Sequence, residues 1–299
     1  MSHPIAAIDL GTNSARLLIA ATDPFRQLHL IRQITRLGGG FTREFGLSAE
    51  AQERSLQTLR RFAAEMAAHG VKKVRGVATS AVRDAANGAA FCERVAAETG
   101  ISLEVIDGTE EALLTLKGVC SVVECSGDLF VFDLGGGSTE YTLSRGGVPI
   151  FSRSLPVGVV RLTEGKEGSA QMLEKVSREL AGLRSELERE GVLEAATSAT
   201  LVGTAGTPTT LAAIQIGMTD YDYRRLNNFV LGIGDVEAIY ERLLPLTPQE
   251  RLQVPGLEPG REDLVVAGLL VVLETMRSFG FPSLTVSDYG LLEGLILSM

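Results

Sequence analysis

The sequence predicts two related α/β domains, and three observations carry that prediction. Strand-like and helix-like stretches alternate through both halves of the 299-residue chain, as in an α/β layer fold. A strand–turn–strand unit occurs twice: AAIDLGTNSARLLIA and FVFDLGGGSTEYTL share three apolar residues, Asp-Leu-Gly, and a serine five places after the aspartate. The two aspartates, Asp9 and Asp133, stand a domain length apart, far beyond the period of a solenoid.

In the first half, the strand AAIDL turns at GTNS into the return strand ARLLIA. Ser48 caps a helix whose Leu56, Leu59, Phe62, Ala63 and Met66 repeat at helical spacing, and Gly70 stops it. VKKVRGVAT reads as a strand, a helix begins near Asn87, ISLEVI is a strand, and GTEEALLTLKGV is a helix entered at Thr109. From residue 128 the pattern restarts as a meander of LFVFDL, TEYTLSR and VPIFSRSL. A long polar helix over 169–190 follows, then the strand ATLVGT and the helix AGTPTTLAAI. Asp235 and Thr247 read as caps of two further helices, residues 262–278 as a buried helix, and SLTVSDYGLLEGLI as a closing strand and helix. The crossing at SVVECSG reads as a hinge rather than a tether, and two such domains are expected to face a cleft with one loop from each.

Composition narrows the chemistry. Hydrophobic residues make up 45% and charged residues 22%, which fits a packed chain. A net charge of −9 argues against binding duplex nucleic acid over a broad surface. The longest apolar run, LVVAGLLVVL, is too short to span a bilayer, and the N-terminus lacks a basic region, so neither a membrane span nor a signal peptide is expected. Cys92, Cys120 and Cys125 form no CxxC pair; three thiols suggest a reducing cytoplasm and no disulfide framework. The histidines at 3, 29 and 69 form no triad or zinc spacing. Chemistry therefore falls to carboxylates, hydroxyls, arginines and backbone.

Three glycine-bearing turns suit an anion. Gly135, Gly136 and Gly137 permit φ > 0 and close approach, so their N–H groups can face a phosphate; Ser138 follows them. Thr12, Asn13 and Ser14 offer hydroxyl and amide donors in the first repeat. Gly206 and Thr207 lie at a strand-to-helix turn whose helix N-terminus favours an anion. Phosphate chains arrive with Mg²⁺, which prefers one or two carboxylates plus water and phosphate oxygens; Asp9, Asp133 and Glu140 are placed for it. Hydrolysis also needs a group to activate water, and Glu110 and Glu111 open a helix; spacing alone does not choose between them. Arg16 and Arg83 are candidates to neutralise a transferring phosphoryl group.

Together these residues resemble the exopolyphosphatase and guanosine pentaphosphate phosphohydrolase (Ppx/GppA) family in its short two-domain form. The motifs IDLGTNSARLLI, ATSAVRDAANG, VIDGTEEA, FDLGGGSTE, VGTAGTPTTLAA, GLEPGRED and TVSDYGLLEG fall in the family's order across nearly the whole chain. The resemblance implies two actin-like (ribonuclease H-like) domains of the ASKHA superfamily flanking an interdomain cleft. Domain I would span 1–121 with a C-terminal return over 286–299, and domain II 122–285. It implies that Glu111 is the water-activating base, and that Asp133 and Glu140 position metal and attacking water. Asn13, Ser14, Arg16, Arg83 and glycines 135 to 137 would hold phosphates, with Gly206 and Thr207 opposite. The implied reaction releases terminal orthophosphate from polyphosphate, or the 5′ γ-phosphate of guanosine pentaphosphate, in the cytoplasm. Mg²⁺ is the implied cofactor; a monovalent cation such as K⁺ and a homodimer are left open.

Two departures bear on substrate. The family commonly has arginine where this chain has Leu113 and Leu292. If both faced the cleft, each lost charged hydrogen bond would weaken polyanion binding by about 2–3 kcal/mol. They motivate one alternative, a guanosine polyphosphate sensor with weak catalysis. A kinase-like phosphotransferase on the same scaffold is the other.

Overall fold

A computed structural model of the chain describes residues 3–42 and 44–299. The chain divides into two compact units, Met1–Gly118 with Leu291–Met299, and Val119–Gly290.

The first unit is built on a five-stranded sheet of β1 (Ile5–Leu10), β2 (Ser14–Thr22), β3 (Phe25–Ile34), β4 (Lys73–Ala78) and β5 (Leu103–Val105), ordered β3-β2-β1-β4-β5. β1, β2 and β3 form an antiparallel meander, and β4 and β5 add parallel to β1. β1 is almost wholly buried because it is central and covered on both faces. Its alternate residues divide the core: Ala6, Ile8 and Leu10 pack with Leu56, Leu59 and Phe62 of the helix Ala49–Ala68 and with Phe91 and Val95. Ala7 joins Leu18, Ala20, Val77 and Leu114 under Leu291, Leu292, Leu295 and Ile296 of the closing helix Leu291–Leu297. Asp9 and Arg16 belong to this second face by the period of the strand.

The second unit repeats the plan. β6 (Asp128–Leu134), β7 (Thr139–Arg145) and β8 (Val148–Leu155) form the meander, and β9 (Thr200–Thr204) lies parallel to β6. β10 (Phe229–Gly232) and β11 (Ser283–Val286) extend the sheet to the order β10-β11-β9-β6-β7-β8. Phe130, Phe132 and Tyr141 point into a core shared with the helix Val265–Phe279, and the Tyr141 hydroxyl bonds Thr275 Oγ1 at 2.6 Å. Burial pushes the Tyr141 hydroxyl above its ordinary pKa, so it stays a neutral donor. Asp133 and Glu140 occupy the opposite face of the same strands. The fold is thus the actin-like one, two mixed sheets that share a five-strand order, the second extended by antiparallel β10, with flanking helices.

Three local expectations need correction. β3 is a full strand that the sequence reading passed over, since Arg26, Gln27, His29, Arg32 and Gln33 break its apolar pattern on a half-exposed edge. The cap of the helix Gly108–Val119 is Asp107, whose Oδ1 accepts from the N–H groups of Thr109 and Glu110 at 2.9 Å. Asp235 is no N-cap; it sits in the first turn and accepts from the Gly232 N–H, whereas Thr247 does cap its helix.

Cys120 and Cys125 form a disulfide, against the expectation that none would exist. A tight turn brings their Cα atoms to 5.6 Å, within bonding range, although their spacing matches no recognised pair motif. The thiol count therefore says nothing about the compartment. Cys92 is the remaining thiol, and burial raises its pKa. No helix among the described residues is long and apolar enough to cross a membrane.

Candidate active site

In the first unit the β1–β2 turn closes with a bond from Gly11 N–H to the Ser14 carbonyl at 2.9 Å. Asp9 and Arg16 are direct cross-strand partners, so their side chains share a face. Arg16 donates from Nε at 2.9 Å and Nη2 at 2.6 Å to Asp9 Oδ2. The acid expected to bind metal and the cation expected to bind phosphate are therefore bonded to each other. Thr12 is buried, its hydroxyl 3.0 Å from Ser80 Oγ. The Asn13 carbonyl accepts from the N–H groups of Thr35 and Arg36. Asn13 Oδ1 is buried with no hydrogen-bond partner among the described residues. Ser14 opens β2 and is half-buried.

The structure separates the two glutamates that spacing left equivalent. Glu110 is half-exposed and accepts from Arg75 at 2.7 Å, a surface ion pair. Glu111 is 8% exposed, and its Oε2 lies 3.7 Å from Arg83 Nη1. Arg83 is itself held by donating to the Ile106 carbonyl at 3.1 Å. Asp9, Asn13, Arg16, Arg83 and Glu111 thus all belong to the first unit.

In the second unit the β6–β7 turn closes in the same way, with Gly135 N–H donating to the Ser138 carbonyl at 3.0 Å. Asp133 and Glu140 are cross-strand partners in the register that Asp9 and Arg16 occupy in the first repeat. Where the first repeat sets a cation against its aspartate, the second sets another carboxylate, and both acids are buried at 7% and 3% exposure. Ser138 is buried beside them.

Gly135, Gly136 and Gly137 do not use the left-handed backbone that the sequence suggested; the positive-φ glycines lie elsewhere, including Gly146 and Gly147 of the next turn. A Cβ on Gly135 would stand 3.2 Å from the Ser138 carbonyl oxygen. The Gly135 carbonyl accepts from Val159 N–H, and the Gly136 carbonyl from Val160 and Arg161 N–H. Arg161 Nε donates to the Gly137 carbonyl at 2.7 Å. These bonds hold the turn by its carbonyls. The N–H groups of Gly136 and Gly137 make no backbone hydrogen bond among the described residues. A Cβ on Gly158 would lie 2.3–2.4 Å from the Gly136 and Gly137 backbone. Gly158→Ala is therefore expected to displace the turn, destabilising the protein by about 1–3 kcal/mol; thermal unfolding of the variant measures it.

Gly206 and Thr207 begin the helix Gly206–Ile216. Ala205 precedes them at φ 69° and ψ −164°, backbone that only glycine adopts without strain. Thr207 packs on Gly268, where a Cβ would meet its hydroxyl at 2.5 Å. Arg261, absent from the sequence-based site, lies so close to Gly206 that a Cβ there would overlap its guanidinium, and Glu258 anchors it at 2.8 Å. Val159, Thr207, Thr210, Arg261 and Leu264 line a small cavity at this turn. Asp133, Gly135–Gly137, Ser138, Glu140, Gly206 and Thr207 all belong to this second unit.

The two leucines at arginine positions are unlike. Leu292 is 2% exposed and lies in the core beside Ala7 and Leu18, whereas Leu113 is 47% exposed. Leu292 is thus a packing residue, and only Leu113 remains as a motive for the sensor alternative.

The profile described as the Ppx/GppA phosphatase family matches residues 18–299. A Mycobacterium tuberculosis protein named exopolyphosphatase 2 is 37% identical over 315 aligned positions, covering 99% of this chain and 98% of its own. The crystal structure of an exopolyphosphatase from Cytophaga hutchinsonii superposes with a TM-score of 0.90 at 28% identity, covering 99% of this chain and 97% of the other. The Ppx/GppA enzyme of Aquifex aeolicus superposes with a TM-score of 0.80 at 32% identity, covering 99% of both chains. With its repeated glycine turns and buried acids, this chain belongs to the Ppx/GppA phosphatase family.

Proposed function

We propose that the chain is a Mg²⁺-dependent phosphohydrolase that releases terminal orthophosphate from inorganic polyphosphate or the 5′ γ-phosphate of guanosine pentaphosphate. The observation that carries this reading is the buried Asp133–Glu140 pair beside the glycine turn. Two carboxylates directly opposite each other across a strand pair repel, and a hard divalent cation would offset that repulsion. Their donor set is all oxygen. Among the described residues no group of three or more histidine, cysteine, aspartate or glutamate side chains could cage a metal. One or two carboxylates completed by water and phosphate oxygens is the arrangement Mg²⁺ prefers. Asp133 and Glu140 fit it; Asp9, bonded to Arg16, fits it less well.

Bound Mg²⁺ would neutralise charge on the phosphoryl oxygens. Glu111 would take the proton of the attacking water at its carboxylate, with Arg83 orienting it. The Asn13 side chain would donate from Nδ2, not from its acceptor Oδ1, to a phosphate oxygen, and the N–H groups of Gly136 and Gly137 would donate to others. The name of the Mycobacterium tuberculosis relative favours polyphosphate as substrate. The test is orthophosphate release from polyphosphates of graded length and from guanosine pentaphosphate, with Mg²⁺. Release from at least one is expected; none from either would remove the reading.

A further inference from the structure

We propose that Ser154 is a positioning residue for Glu140, a role that rests on the phosphohydrolase reading above. β7 and β8 pair so that Glu140 stands directly opposite Ser154, and β6 pairs with β7 so that Glu140 also stands opposite Asp133. The three side chains therefore form one row across three adjacent strands, on one face of the sheet. Ser154 Oγ is 2.7 Å from Glu140 Oε1. An ionised carboxylate only accepts, so the serine is the donor and its proton points at Glu140. Such a charge-assisted bond is among the stronger ones and fixes the plane of the carboxylate.

The row is held in register next to the turn. The Thr139 hydroxyl donates to the Val157 carbonyl at 3.2 Å, tying the start of β7 to the chain just beyond β8. The first repeat shows what the row looks like without this function. The residues opposite one another there are Asp9, Arg16 and Arg32, and Arg16 is spent on Asp9. In the second repeat the middle position has become a carboxylate, and the outer position a small hydroxyl that can orient it. Groups that bond to and orient a metal-binding carboxylate typically contribute 10–100-fold to affinity or activity.

The experiment compares wild type, Ser154→Ala, Ser154→Thr, Glu140→Gln and the Ser154→Ala/Glu140→Gln double variant. Two readouts are used: kcat for orthophosphate release from polyphosphate, and the rise in melting temperature produced by Mg²⁺ alone. Ser154→Ala is expected to lower kcat by roughly 10–100-fold with KM little changed, and to shrink the Mg²⁺-induced rise. Ser154→Thr, which keeps the hydroxyl, should restore both. In the Glu140→Gln background, Ser154→Ala should change kcat by less than about twofold, because its effect runs through the carboxylate. Equal losses from Ser154→Ala with and without Glu140 would overturn the positioning role, as would wild-type behaviour of Ser154→Ala beside an impaired Glu140→Gln. A fully active Glu140→Gln would likewise overturn the positioning role, whereas a wild type with neither release nor a Mg²⁺-induced rise would remove the phosphohydrolase reading itself.

Discussion

Glu111→Gln is expected to lower kcat for orthophosphate release by roughly 10²–10⁴-fold, the usual contribution of a general base. That range is about 3–5 kcal/mol of barrier. The substitution suits the test because glutamine keeps the size and shape of the side chain while removing its charge, and with it the ability to take a proton and the ion pair with Arg83. Glu111 is buried at the first turn of a helix that Asp107 caps, so the backbone around it should not move. KM for polyphosphate should change little, since the proposal gives phosphate binding to Asn13 and the glycine turn. Steady-state kinetics of both proteins separates the two effects. The neighbouring Glu110→Gln is the internal comparison: Glu110 is engaged with Arg75 at the surface, and the substitution should leave kcat within about twofold. Full activity of Glu111→Gln would transfer the base to another residue.

Asp133→Asn is expected to have the second large effect, on metal dependence. Residues that merely orient a metal-binding group cost 10–100-fold when lost, so removing one of two carboxylates should raise the Mg²⁺ concentration for half-maximal activity by at least about tenfold. A ligand that binds only the folded state raises its melting temperature. Mg²⁺ should therefore stabilise the wild type against heat, and stabilise Asp133→Asn much less. Scanning calorimetry across a Mg²⁺ series reads this without any turnover. Asp9→Asn provides the contrast, because Arg16 already neutralises Asp9 in the structure. Its metal dependence should stay near that of the wild type. The opposite ranking of the two variants would place the metal on the first repeat.

What the sequence made legible follows from where its signals are local. Asp-Leu-Gly recurs with apolar residues before it and a serine after it, and that local repeat announced both hairpins and their shared topology. Ser48 and Thr247 were readable as caps because each stands just before its helix; Asp235 was misread because it bonds back from inside the first turn. β3 went unseen because an edge strand exposes one side, and its arginines, glutamines and histidine erase the apolar alternation. Glu110 and Glu111 could not be told apart from spacing, since adjacent residues point to different sides of a helix and the partners decide: Arg75 for one, Arg83 for the other. Ser154 needed the register of β7 against β8, and Arg261 needed the tertiary contact with Gly206. Of the two properties the sequence suggests for glycines 135 to 137, positive φ and close approach, the structure does not use positive φ. Close packing falls instead on Gly158, where a Cβ would overlap the Gly136 and Gly137 backbone, a property that no single-residue pattern reveals.

In the proposed reaction, water activated by a carboxylate attacks the terminal phosphorus of the substrate and displaces the rest of the chain. Running the reaction on polyphosphate with Mg²⁺ in ¹⁸O-labelled water, and following the products by mass spectrometry and ³¹P NMR, tests it most directly. Each released orthophosphate is expected to carry one oxygen from water, and the shortened chain none. Label in the remaining chain, or transfer of the phosphoryl group to another acceptor with no labelled orthophosphate, would contradict it.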